Sequence, residues 1–99
     1  MNITIQSVHF DCAEKLENFI NQKVGKLDQF FDGILSAEVI LRLDKSESFE
    51  NKMVEVTLDI PGNKLFAKKQ SKTFEEAIDL ACDALRKQIG KRKEKVKAK

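Results

Sequence analysis

Lys87, Lys91 and Lys95 recur at i, i+4 and i+8 near the end of the sequence, and Arg86 and Lys93 stand one heptad apart beside them. On a helix, residues four apart share a face, so this spacing builds a ridge of cations. The chemistry open to such a ridge is the tracking of a row of phosphates. Two further lysines, Lys23 and Lys26, fall in an earlier segment of helical periodicity. The charge of the whole chain is divided in the same sense. Residues 64–99 hold twelve Lys/Arg against five Asp/Glu, whereas residues 1–63 hold six against eleven, so a net charge of +2 conceals a basic C-terminal third. A patch of this kind attracts a polyanion, most commonly nucleic acid. On charge alone the same residues also fit a solvated helix face. Lys23, within the register of the apolar stripe, also fits a lysine that snorkels from the edge of the core.

Catalysis has little to draw on. His9 is the only histidine, and it stands at a strand end with no Ser or Cys nucleophile in a recognisable motif, which suits a surface or capping residue. No Walker loop, dinucleotide glycine fingerprint or metal-ligand spacing occurs. Cys12 and Cys82 lie far apart, near the starts of the two helices read below, with no partner at metal spacing, and read as small buried thiols of a reducing compartment. Glu75 and Glu76 fall in the first turn of a helix, where negative charge complements the helix dipole. The expectation is a non-enzyme without cofactor, metal or small-molecule substrate.

The elements that position the basic residues follow from periodicity. Asn2 to Val8 alternates as a half-buried strand. Asp11 and Glu14 have the spacing of a capping box, and Leu16, Phe19, Ile20, Val24, Leu27, Phe30 and Phe31 then recur at helical spacing up to Asp32-Gly33. Ala37, Val39, Leu41 and Leu43 trace a second strand, and Val54, Val56, Leu58 and Ile60 a third beyond the polar stretch from Lys45 to Asn51. Pro61-Gly62-Asn63 signals a turn into a fourth strand over Lys64 to Lys69. Thr73 and Glu76 form another capping box, after which Phe74, Ala77, Ile78, Ala81, Cys82, Leu85 and Ile89 line one stripe of a long second helix. Arg92 continues that stripe, so the helix is expected to pass the edge of the core near residue 91, where a basic tail begins.

The fold class is therefore α+β, a β-α-β-β-β-α two-layer sandwich. Its four-stranded sheet buries one face under both helices and leaves the other to solvent. At 99 residues the chain reads as one domain over residues 1–99. No apolar run approaches the roughly 18 to 20 residues of a membrane span, and the N-terminus lacks the plan of a signal peptide, which points to the cytoplasm and away from membranes. Phe66, with Lys64 and Lys68, falls on the open face of the sheet, while Phe19, Phe30, Phe31 and Phe74 fit the core. There is no Tyr or Trp, so phosphate and shape readout of folded RNA is favoured over stacking of single-stranded bases.

Several segments carry a family resemblance. Lys23-Val24-Gly25-Lys26-Leu27-Asp28-Gln29-Phe30-Phe31-Asp32, Ala77-Ile78-Asp79, Leu85-Arg86-Lys87-Gln88-Ile89 and the alternation Lys91, Lys93, Lys95, Lys97 stand in this order and at these separations. Together they closely resemble the short ribosome hibernation-promoting factors, relatives of the protein Y family of ribosome-associated inhibitors. The likeness runs across nearly the whole chain. One departure is Glu75, which stands where the family often has Tyr. The resemblance implies a domain similar to double-stranded RNA-binding domains that docks on the 30S ribosomal subunit and its 16S rRNA, in the channel of messenger and transfer RNA, and inhibits translation in stationary phase or stress. It also implies that Lys23, Lys26, Lys87, Lys91 and Lys93 face RNA. With the ridge, the expected RNA-binding set is Lys23, Lys26, Arg86, Lys87, Lys91, Lys93 and Lys95, on a protein that is monomeric off the ribosome. Long-form relatives carry a further domain that joins two ribosomes, and a chain stopping at Lys99 is expected to lack that route. The alternative function is a general structured-RNA-binding or protein-interaction module that does not act on ribosomes.

Overall fold

The computed structural model describes residues 1–8, 10–44 and 51–97, with side chains described through residue 91. His9, the polar connection over 45–50 and the last two residues lie outside the described residues, and with them the expected role of His9. Six principal elements follow in the order read from periodicity: β1 (Asn2–Ser7), α1 (Glu14–Gly25), β2 (Ser36–Leu43), β3 (Lys52–Ile60), β4 (Asn63–Ser71) and α2 (Phe74–Lys97).

Strand order in the sheet is β1-β2-β3-β4. β1 and β2 are parallel, which requires the crossover that α1 provides, and the remaining neighbours are antiparallel. The register lines up apolar residues on one face: Ile5 lies beside Val39, Val39 beside Val56, and Val56 beside Ala67. One residue along, Thr4, Glu38, Thr57 and Phe66 form the corresponding row of the opposite face. This is the period-two rule applied four times, and it decides which face the helices cover. Val39, Leu41, Val56 and Leu58 are fully buried, whereas Glu38 and Arg42 are exposed and Glu55, Thr57 and Asp59 half-buried. Ile20 and Val24 of α1 and Ile78, Ala81, Leu85 and Ile89 of α2 complete the core from above. Burial of each larger aliphatic side chain contributes about 1.5 to 3 kcal/mol, so the layer arrangement is set by many such residues at once.

Local signals fix the ends of most elements. The turn between β3 and β4 is Pro61-Gly62, with Gly62 at φ 78°, the left-handed value that the second central residue of a type II turn needs after proline. Thr73 caps α2 as its spacing foretold: its Oγ1 accepts a hydrogen bond from the Glu76 backbone N–H at 3.1 Å. Gln88 of α2 donates from Nε2 to the Phe66 carbonyl at 2.8 Å, which ties the helix to the edge strand β4.

Four expectations need correction. The Asp11–Glu14 capping box does not form: α1 begins at Glu14 after an extended Ala13, with no side-chain cap. Phe10 and Cys12 are drawn against the core, and Phe10 stacks on Phe74 with ring centroids 5.2 Å apart, so the chain stays extended past Asp11. The first helix also does not run unbroken to Phe31. It ends at Gly25 and tightens into a 3-10 helix over Lys26–Gln29, and Gly33 at φ 97° turns the chain towards β2. That tightening rotates Phe30 out of the apolar stripe, leaving it 38% exposed rather than in the core. Leu43, at the last position of β2, is also exposed, since the strand has run past the helices by then. Towards the C-terminus, Ile89 is the last buried residue of the described α2 stripe, and the backbone is helical through Lys97.

Candidate nucleic-acid interface

The two helices lie side by side on the sheet, and the expected basic residues gather along their seam. α1 and the 3-10 helix contribute Lys23, Lys26, Leu27 and Phe30 to one wall of a cleft of about 300 Å³, and α2 contributes Asp79, Cys82, Asp83 and Arg86 to the other. Lys23, Lys26 and Arg86, separated by some sixty residues of sequence, thus share one site. Lys87 borders the cleft through Asp83, and Lys91 stands exposed one turn further along α2. Lys93 and Lys95 lie on the backbone of the same helix, but their side chains are outside the described residues.

The cations are not left bare. Lys23 Nζ lies 3.0 Å from Asp79 Oδ1, an ion pair between the helices. The same ammonium stands 5.7 Å above the Phe19 ring. Lys23 therefore lies at the rim of the core with its charge directed to the seam, which resolves its ambiguous place in the stripe. Asp83 holds two neighbours on α2, Arg86 through Oδ1 at 3.2 Å and Lys87 through Oδ2 at 3.3 Å. Arg86 also covers the exposed Phe30 ring, its guanidinium carbon 5.6 Å from the ring centroid. These pairs are at least one-third exposed, and such pairs are worth about 0 to 1 kcal/mol, so an arriving anion can exchange with the carboxylates at small cost. At the back of the cleft, burial pushes the Cys82 thiol up to about 11; Asp79 adds to the shift and Lys23 opposes it. The thiol stays protonated and both cysteines are free, so Cys82 serves as an apolar lining group.

Leu27, Phe30, Asp79, Cys82 and Asp83 are the members of this site that sequence reasoning missed. The spacing of Asp83 to Arg86 and Lys87, at i+3 and i+4, was a visible signal for the pairs within α2. Nothing in the sequence pointed to the Lys23–Asp79 contact, which exists only because the helices are neighbours. Among the described residues, no cluster of side chains has the makings of a metal site, and no helix is long and apolar enough to cross a membrane.

The family model described as Sigma 54 modulation protein / S30EA ribosomal protein matches residues 3–97. The chain belongs to this family. Among curated relatives, the ribosome hibernation promoting factor of Pseudomonas putida is 30% identical over 95 residues, covering 96% of this chain and 89% of the relative. That of Escherichia coli K12 is 30% identical over 97 residues, covering 98% of each chain. The ribosome hibernation promotion factor of Bacillus subtilis is 33% identical over 99 residues, but this chain spans only 52% of its length. Among solved structures, the Thermus thermophilus Protein Y N-terminal domain superposes with a TM-score of 0.77 at 27% identity, over 90% of this chain and 96% of that one. A ribosomal subunit interface protein from Coxiella burnetii reaches a TM-score of 0.84 at 22% identity, over 95% and 99% of the two chains, and supports the fold. The S30EA family thus shares this sheet and helix pair across almost the full length described.

Proposed function

We propose that this chain is a ribosome hibernation factor. It binds the 30S subunit through 16S rRNA, in the channel that messenger and transfer RNA use, and inhibits translation during stationary phase or stress. The observation that carries the reading is the convergence of Lys23, Lys26 and Arg86 on one cleft that continues onto the exposed Lys87 and Lys91. Two helices distant in sequence make one cationic surface, and a phosphate backbone is the ligand that matches its charge and extent. Lys93 and Lys95, further along α2, belong to the proposed RNA-binding set. The names borne by its relatives support the ribosome as the polyanion in question. Residues 1–99 act as one ribosome-binding domain, monomeric off the ribosome and working in the cytoplasm, by steric occupation rather than by catalysis.

The proposal is tested with purified 30S subunits. The protein should pellet with them, and prior loading of the subunits with messenger and transfer RNA should prevent it, while the same protein added to a translation extract lowers peptide output. Undiminished binding to subunits already filled with both RNAs would move the site out of the channel. Tight binding to unrelated structured RNA, with none to subunits, would favour a general RNA-binding module.

A further inference from the structure

The cleft between α1 and α2 has a lining that phosphate binding does not explain. Asp79 and Asp83 stand one turn apart on its α2 wall, and a carboxylate repels a phosphodiester. An ionised carboxylate can only accept hydrogen bonds, and the donors that RNA bases offer are their amino and imino groups. Phe30 and Leu27 supply apolar surface on the opposite wall. Phe30 keeps 38% of its surface exposed even with Arg86 above its ring, and aromatic rings and guanidinium planes are the surfaces on which unstacked bases settle. The volume, about 300 Å³, is at the lower end for small-molecule pockets, which suits one flat ring system rather than a length of chain. Lys23, Lys26 and Arg86 at the same cleft can hold the phosphates on either side of such a base.

We propose that this cleft receives a single unstacked RNA base that carries an exocyclic amino group, with Phe30 and Arg86 as the stacking surface and Asp79 and Asp83 as acceptors of its amino protons. Cytosine, adenine and guanine qualify. Uracil fits less well, because its one donor on that edge is the imino proton, flanked by two carbonyls, so only one carboxylate can be satisfied and the other would face an acceptor. The inference rests on the RNA-binding reading above and adds base selectivity to it.

The test compares fluorescently labelled oligocytidine and oligouridine of about ten nucleotides, a length within the range a single binding domain covers. Their charges are equal, so the phosphate contribution cancels and the ratio of affinities reports the base. The wild-type protein should prefer oligocytidine by at least about fivefold, the lower end of what one specific base contact supplies. Asp83→Asn, which can donate as well as accept, should shrink that preference to about twofold or less. Phe30→Ala should weaken oligocytidine binding without changing its salt dependence, because every phosphate partner is retained, and Phe30→Tyr should restore it. Equal affinity of the wild-type protein for the two oligomers overturns the proposal, as does an Asp83→Asn variant that gains affinity for both alike, since the acids would then be mere counter-charges. Pelleting with 30S subunits is run in parallel. A protein that pellets but does not discriminate refutes the base cleft alone, whereas one that discriminates but does not pellet refutes the ribosome reading alone.

Discussion

Replacing Lys87 and Lys91 by alanine isolates the phosphate contribution of α2 from everything else in the fold. Both side chains are exposed, and the substitutions remove from the folded state the Lys87–Asp83 pair at 3.3 Å, an exposed i, i+4 pair worth about 0.3 to 0.5 kcal/mol. Thermal stability should therefore change by no more than about four degrees, as for other surface substitutions. Binding should change much more. If Lys23, Lys26, Arg86, Lys87 and Lys91 each meet one phosphate of structured RNA, log affinity falls with log salt at a slope of about 4.5, and a fourfold rise in salt weakens binding by about 500-fold. Without Lys87 and Lys91 the slope drops to about 2.7 and the same rise in salt costs only about 40-fold. The assay is pelleting with 30S subunits across a salt series, with wild type and double variant side by side. Reversal of Lys87, Lys91 and Lys93 to Glu should go further and abolish binding and translation inhibition together. Glu14→Lys with Glu17→Lys, in the first turn of α1, should not weaken binding. A double alanine variant with the wild-type slope would refute the reasoning, because it would leave α2 as a merely solvated face.

Two further predictions concern folding and reactivity. Thr73→Ala removes the hydrogen bond to the Glu76 N–H and should cost about 1 kcal/mol in denaturant melts, whereas Asp11→Ala, at a position that caps nothing, should cost almost none; equal losses would contradict the assigned start of α1. The Cys82 thiol, raised to about 11, is protonated in the folded protein at pH 8, so alkylation there should be slower than for an ordinary thiol by on the order of a hundredfold. The rate should climb as pH rises towards 11 and should become ordinary at pH 8 on unfolding; fast alkylation of the folded protein at pH 8 would show the cleft to be more open than described.

Much of the fold was legible because the sheet is buried on one face only. Alternation in β2, β3 and β4 then specifies which side chains turn inward, and Glu38, Arg42 and Phe66 fall outward as the pattern required. The start of α2 was legible because its cap is local, made by Thr73 and Glu76 three residues apart. The start of α1 was not, because Phe10 and Cys12 answer to the core rather than to the neighbouring Asp11. The same distinction separates the parts of the candidate site. The ridge on α2 follows from helical spacing, and the Lys23 and Lys26 segment from its resemblance to the family. The exposure of Phe30 depends on where α1 tightens, and the pairing of Lys23 with Asp79 on how closely two helices approach, and no local signal encodes either.

The most direct test of the central claim is sedimentation of a stationary-phase lysate through a sucrose gradient at low salt, with the protein followed by antibody. Wild-type protein should migrate with 30S and 70S particles, and the variant with Lys87, Lys91 and Lys93 changed to Glu should remain at the top of the gradient despite normal folding. Recovery of the wild-type protein only in the free fraction, or co-migration of the charge-reversed variant with ribosomal particles, would contradict it.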